Sequence, residues 1–320
     1  MFLWVARLAA LTLCLVGLTF PAAAEWPERQ IHIIVPLPAG SAADVVARLI
    51  AARLSESLGQ SVVVDNRDGG SGAIGTGAIA HADPDGYTIG IATSTTLATA
   101  PALNPRIGYN SLADFAPVSL VGYSPYVLVT NPSVPAKSVA EFIALAKSRP
   151  GVLTYSSVGD ASLAHLAGEL FGKMAGVKLN QVPYKSSTQA VIDLLGGRID
   201  SQFGILTTTH QYIREGKVNP LGVTTLQRVT GFPEIPTIAE SGLPGFDASL
   251  WLAVVAPAKA PLAVVSRLNR DINRMLDDQE IRKLLFAQSI FVELKAPGEL
   301  AALIAADYAK WKELAATAGL

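Results

Sequence analysis

The sequence predicts two α/β lobes joined by a two-strand hinge, and three observations carry that prediction. A short apolar strand, a loop of small polar residues and a helix recur along the chain, and strands alternating with helices imply parallel sheets. These units fall into two groups of three, separated by a less regular segment. Two further apolar runs, "YVLVTNPSVPAKSVAEFIALAKSRP" and "LAVVAPAKAPLAVVSRLNRDINRML", each set a pair of prolines between strand and helix. They mark the places where the chain passes from one lobe to the other and back, so that the final helices complete the first lobe.

The elements follow in order. Arg7 precedes an uncharged run from Leu8 to Phe20, and Ala22, Ala23 and Ala24 precede Glu25. That pattern predicts a secretory leader over residues 1–24, cleaved after Ala24. The apolar run, about 13 residues, falls short of the ~20 that a membrane span needs. The single cysteine, Cys14, lies inside this leader, which leaves the exported chain without disulfides or thiolate metal sites. Acidic residues number 26 against 25 basic ones, so no basic excess points to nucleic acid. With half its residues apolar and 16% charged, the remainder has enough material for two cores.

"IHIIV" (31–35) leads through "PLPAGSAAD" to a helix near 42–58, whose apolar face carries Val45, Leu49, Ala52 and Leu54. "SVVVD" (61–65) leads through a glycine stretch to a helix ending near His81, and "YTIGIA" (87–92) leads to "TSTT". In the second group "TYSS" leads through "VGDAS" to a helix near 162–175, "NQVPY" through "KSST" to one near 188–196, and "IDSQFG" to "ILTTT". Parallel α/β sheets bind ligands at the carboxyl ends of their strands, where helix N-termini present free amides. The six loops fall at that edge and consist mainly of Gly, Ala, Ser and Thr. Small neutral donors beside partial positive charges suit a carboxylate or phosphate held between two lobes.

Gly70, Gly72 and Gly75 spell G-x-G-x-x-G, the turn of a dinucleotide site. Such a turn follows the first strand, with an acid ending the second strand. Here it follows the second strand, and the nearest downstream acids, Asp83 and Asp85, sit in the turn "ADPDGYT"; a glycine-rich helix start facing a cleft is the better account. No G-x-S-x-G nucleophile elbow occurs, and His32, His81, His165 and His210 show no metal-binding spacing. The chain is therefore read as binding no metal or cofactor and as having no catalytic residues. The competing class is an exported hydrolase of a small carboxyl ester, built on Ser157 and His165 meeting in the fold.

"WPERQIHIIVPLPAGSAADVVARLIAARL", "GQSVVVDNRDGGSGAIG", "ADPDGYTI", "DFAPVSLV", "HLAGELF", "VPYKSSTQAVIDLLGGRID", "FPEIPTIAESGLPGF" and "APAKAP" together resemble the extracytoplasmic solute receptors of tripartite tricarboxylate transporters, the Bug receptors. The resemblance runs from Trp26 to Leu320 and implies a periplasmic binding protein of type II, a Venus flytrap. Residues 25–124 and 250–320 would form one lobe and 125–249 the other. It implies a monomer that captures a small carboxylate and delivers it to a large and a small membrane subunit. Carried over position by position, the first-lobe candidates are Leu37, Ala39, Gly40, Ser41, Gly72, Ala73, Ser94 and Thr95. The second-lobe candidates are Ser157, Gly159, Asp160, Ala161, Ser162, Gly204 and Thr207. Leu37 stands where the family often has Phe, and Ser41 where it often has a second Gly. Asp160 and Ala161 replace Asn or Gly, and Ser186 and Gln189 replace Gly and Pro. Asp160 is either a solvated loop acid or helix-start charge, the commoner case, or a selector for a ligand bearing an amino or hydroxyl group, and Lys185 is either a surface lysine, again the commoner case, or a partner for a second carboxylate. Ser41 and Asp44 also form S-x-x-D, a capping box that needs no ligand.

Overall fold

The computed structural model describes residues 26–158 and 162–318. The leader with its cleavage point, and Gly159, Asp160 and Ala161, lie outside the described residues. The first stretch of chain runs β1 (Ile31–Val35), α1 (Ala42–Leu58), β2 (Val62–Asn66), α2 (Ala73–Ala80), β3 (Thr88–Thr93), a short α3 (Ala100–Leu103) and β4 (Phe115–Ser124). Ser41 caps α1 by accepting from Asp44 N, and Gly59 ends the helix in the left-handed region. After β4, the path continues through β5 (Tyr126–Thr130), α4 (Val139–Ser148), β6 (Thr154–Ser157), α5 (Leu163–Ala175), β7 (Asn180–Pro183), α6 (Ser187–Leu195), β8 (Ser201–Ile205), α7 (Leu206–Arg214) and β9 (Asn219–Val223). The last part holds β10 (Leu250–Pro257), α8 (Leu262–Leu276), α9 (Gln279–Ala287), β11 (Phe291–Val292) and α10 (Pro297–Ala318).

Two sheets result. One has the order β11-β4-β10-β3-β1-β2, the other β7-β6-β8-β5-β9. Sheet membership changes between Ser124 and Tyr126 and again before Leu250. Leaving β11 aside, both sheets follow one plan: second, first and third strands, then a crossing strand, then the fourth.

The expectation of parallel sheets needs correction. β1, β2 and β3 are parallel, as are β6, β7 and β8. The crossing strands run the other way: β10 is antiparallel to β3 and β4, and β5 to β8 and β9. A strand entering from the opposite lobe has no preceding crossover helix in its own sheet, so it is not bound to the parallel sense. The segment read as less regular also contains the ten-residue β4, eight of whose residues pair with β10 across two register shifts.

Alternation along the strands distributes the cores. Ile31, Ile33 and Val35 face α1 and α8, where Val46, Ile50 and Leu268 complete a fully buried cluster. Ile34 turns to the opposite face with Leu97 and Trp311. That second cluster continues into the other lobe through Phe171, Phe203 and Phe246. A third, around Val127, Val129, Leu194 and Leu206, fills the far face of the second sheet. Each buried aliphatic side chain contributes about 1.5–3 kcal/mol, enough for the sheets to hold their edge loops in place.

Candidate functional site

The first half-site collects the loops after β1, β2 and β3. Asp44, 3% exposed, sits in the first turn of α1 and accepts from Gly40 N at 2.9 Å, Asn66 Nδ2 at 3.0 Å and Arg48 Nε at 3.0 Å. Burial pushes its carboxyl up, but the bonds from Arg48, Gly40 and Asn66 outweigh that and hold it below the usual carboxylate range. The capping box thus closes differently from the motif: Ser41 Oγ accepts from Asp44 N at 3.3 Å, while the carboxylate returns to Gly40 rather than to Ser41. Ser41 N instead donates to Pro38 O. Gly40 and Ser41 therefore spend their amides on the loop itself. The first-turn amides of Ala42 and Ala43 are left without partners inside the helix, beside the exposed Ala39 and half-buried Leu37.

The glycine stretch makes a tight turn against this loop. Gly72 has φ +89°, and a Cβ there would stand 2.6 Å from Thr96 Cγ2 and 3.3 Å from Pro36 O. At Gly75 a Cβ would fall 2.6 Å from Pro36 Cα. The glycines are what let the second loop lie on the first and third. Gly72 N and Ala73 N close the turn onto Gly69 O and Gly70 O. After β3, Thr93 and Thr96 exchange backbone and hydroxyl bonds at 3.0 and 3.2 Å. They fix buried Ser94 and half-buried Thr95 at the start of a π-helical turn, Thr95–Thr99.

The second half-site is concave. A cavity of about 550 Å³ opens at the carboxyl ends of β6 and β8, and Ser157, Ser162, Gly204 and Thr207 line it. Its volume lies in the range of small-ligand sites. Ser162 caps α5 by accepting from His165 N at 3.3 Å, and Ser157 Oγ accepts from Gln181 Nε2 at 2.7 Å. His165 is 5% exposed, its Nε2 3.8 Å from Glu169 Oε1. Thr207 also meets the first lobe, its hydroxyl bonded to that of Ser289. None of the first-lobe candidates lines this cavity; the candidates form two groups, one on each sheet edge.

Sequence reasoning missed part of this wall. Ser156 lies one residue and Gln202 three residues inside the carboxyl ends of their strands, paired across β6 and β8, and the cavity reaches them beside Val191, Ile192 and Leu195 of α6. The signal was present: period-2 alternation puts Gln202 on the same face as Gly204. No three His, Cys, Asp or Glu side chains among the described residues converge on a possible metal position. No helix among them is long and apolar enough to cross a membrane.

Comparison with known proteins adds the following. The family model described as the tripartite tricarboxylate transporter family receptor matches residues 46–320. Protein BugT of Bordetella pertussis is 40% identical over 297 residues, covering 92% of this chain and 91% of that one. Among solved structures, R. palustris Rpa4515 with adipate is 37% identical, covers 92% of this chain and 99% of its own, and superposes with a TM-score of 0.71. A TctC solute-binding protein from Polaromonas without ligand is 29% identical, covers 91% and 99%, and superposes with a TM-score of 0.83.

Proposed function

The chain belongs to the tripartite tricarboxylate transporter receptor family, and from that premise we propose that it is a periplasmic receptor. In this reading it captures a small carboxylate between two lobes, 25–124 with 250–320 and 125–249, and hands it as a monomer to the large and small membrane subunits of its transporter. The observation that carries the reading is the pair of half-sites. Each stands at the carboxyl ends of parallel strands, each has loops that carry Gly, Ala, Ser and Thr, and each is bordered by helix N-termini. Two such edges brought together surround an anion with neutral donors and partial positive charge. The amides of Ala42 and Ala43, with Leu37, Ala39, Thr95 and the Gly72–Ala73 turn, supply the first-lobe wall. Ser157, Ser162, Gly204 and Thr207 supply the second. The reading includes export by the leader and binding without chemistry.

Closure follows as population shift: a ligand that touches both walls favours the arrangement in which they meet. The superposition supports this, because the chain fits a ligand-free relative better than a more similar one holding adipate. Thermal unfolding of residues 25–320 against mono-, di- and tricarboxylates, aromatic acids and their neutral amides tests the proposal. An acid at about a hundred times its Kd stabilises the fold by about 2.7 kcal/mol, and its amide leaves the midpoint unmoved. Equal responses to acid and amide would contradict an anion site.

A further inference from the structure

We propose that the second-lobe cavity reads an uncharged hydroxyl at the far end of a ligand with an apolar body, so that the protein selects hydroxylated monocarboxylates over dicarboxylates. The inference rests on the carboxylate reading above and deepens it. Ser156 is 1% exposed and Gln202 is 6% exposed. Ser156 Oγ and Gln202 Oε1 have no hydrogen-bond partner among the described residues, and both residues line the cavity. They are neighbours across the β6–β8 ladder, on one face of the sheet. A buried polar atom left unpaired carries its desolvation cost uncompensated, and two side by side on one cavity wall are explained by a polar group that arrives with the ligand.

Gly204 keeps the way open. It follows Gln202 on the same strand face, and a Cβ at Gly204 would lie 3.8 Å from Gln202 Cδ and 2.4 Å from Thr209 Oγ1. Any side chain there would crowd the approach to the carboxamide. The rest of the wall fixes the character of the ligand. Val191, Ile192 and Leu195 on α6 offer apolar surface, and no charged side chain among the described residues lines the cavity. A second carboxylate placed there would be desolvated without a counter-charge, which is far costlier than burying a hydroxyl that finds a partner. The hydroxyl donates to Gln202 Oε1 and accepts from Ser156 Oγ. The ligand carboxylate stays at the mouth with the helix N-termini.

Calorimetric titration of the mature chain with hexanoate, 6-hydroxyhexanoate and adipate, and with benzoate, 4-hydroxybenzoate and terephthalate, tests the inference. In at least one series the hydroxy acid is expected to bind tenfold or more tightly than both the unsubstituted acid and the diacid. Gln202→Met, close in volume, is expected to abolish that preference; Ser156→Ala should weaken it in the same direction. A site built for a hydrogen bond rejects the analogue that lacks it. Preference for the diacid, absence of a tenfold preference in both series, or a hydroxyl preference that survives both substitutions would overturn the inference while the carboxylate reading stands. Failure of every acid to bind would overturn that reading and this one with it.

Discussion

At the scale of single residues, Asp44 organises the loop after β1. One buried carboxylate takes hydrogen bonds from a loop amide, a neighbouring strand's Asn66 and its own helix's Arg48, so three parts of the half-site share one anchor. Bonds to a charged acceptor contribute about 1.5–3 kcal/mol each when made and are not additive. Asp44→Ala should therefore lower the unfolding free energy by about 2–4 kcal/mol in urea at neutral pH. The sign of the pH dependence follows from the depressed carboxyl. Its stabilisation is complete above the unfolded value of about 3.9 and is lost as pH falls through the lower folded value. The gap between wild type and Asp44→Asn should then narrow below about pH 4; a gap that widened on acidification would be inconsistent with it. The S-x-x-D spacing made the helix start legible. It did not reveal the carboxylate's return to Gly40, which depends on how the loop folds back. Ser156 and Gln202 were less legible for a related reason: they lie within their strands, one and three residues before the carboxyl ends, not in the loops that follow.

At the scale of elements, helix positions were legible, but strand direction and the buried face of α1 were not: α1 buries Val46, Ile50 and Leu54, while Ala52 of the expected apolar face is exposed. Ser138, Ser162 and Ser186 begin the helices they cap, and the helix expected near 42–58 occupies Ala42–Leu58. β5 and β10 read as apolar strands like any others. Their antiparallel sense is a long-range property of the crossings, set by which partners they meet rather than by their own residues. The last helix matters more than its distance from the first half-site in sequence suggests. α10 packs on β4 and on the turn Thr95–Thr99. Trp311, 1% exposed, fills the cluster there, and Asp307 accepts from Trp251 Nε1 at 2.9 Å. Trp311→Ala should cost about 3–5 kcal/mol of stability, read by denaturant unfolding. A loss below about 1 kcal/mol would mean that the helix does not buttress the sheet as described.

At the scale of the whole molecule, the two sheets repeat one plan and meet at a junction with its own packing. Phe232 of the second lobe lies against Phe286 and Phe291 of the first, with ring centroids 6.5 and 6.1 Å apart. Thr207 is bonded to Ser289 across the same junction, and Lys173 pairs with Glu313 at 2.7 Å elsewhere between the lobes. The two-lobed plan was legible because strand, small-residue loop and helix recur in two groups. The junction was not, since its aromatic residues are scattered from 232 to 291 and no local pattern links them. Closure on a carboxylate must rearrange the lobes about this junction, and small-angle X-ray scattering measures that most directly. With the mature chain at saturation by the acid that stabilises it most, the radius of gyration should fall below its ligand-free value, while the corresponding amide leaves it unchanged. An identical scattering curve with and without a bound acid would contradict a receptor that works by closing its lobes.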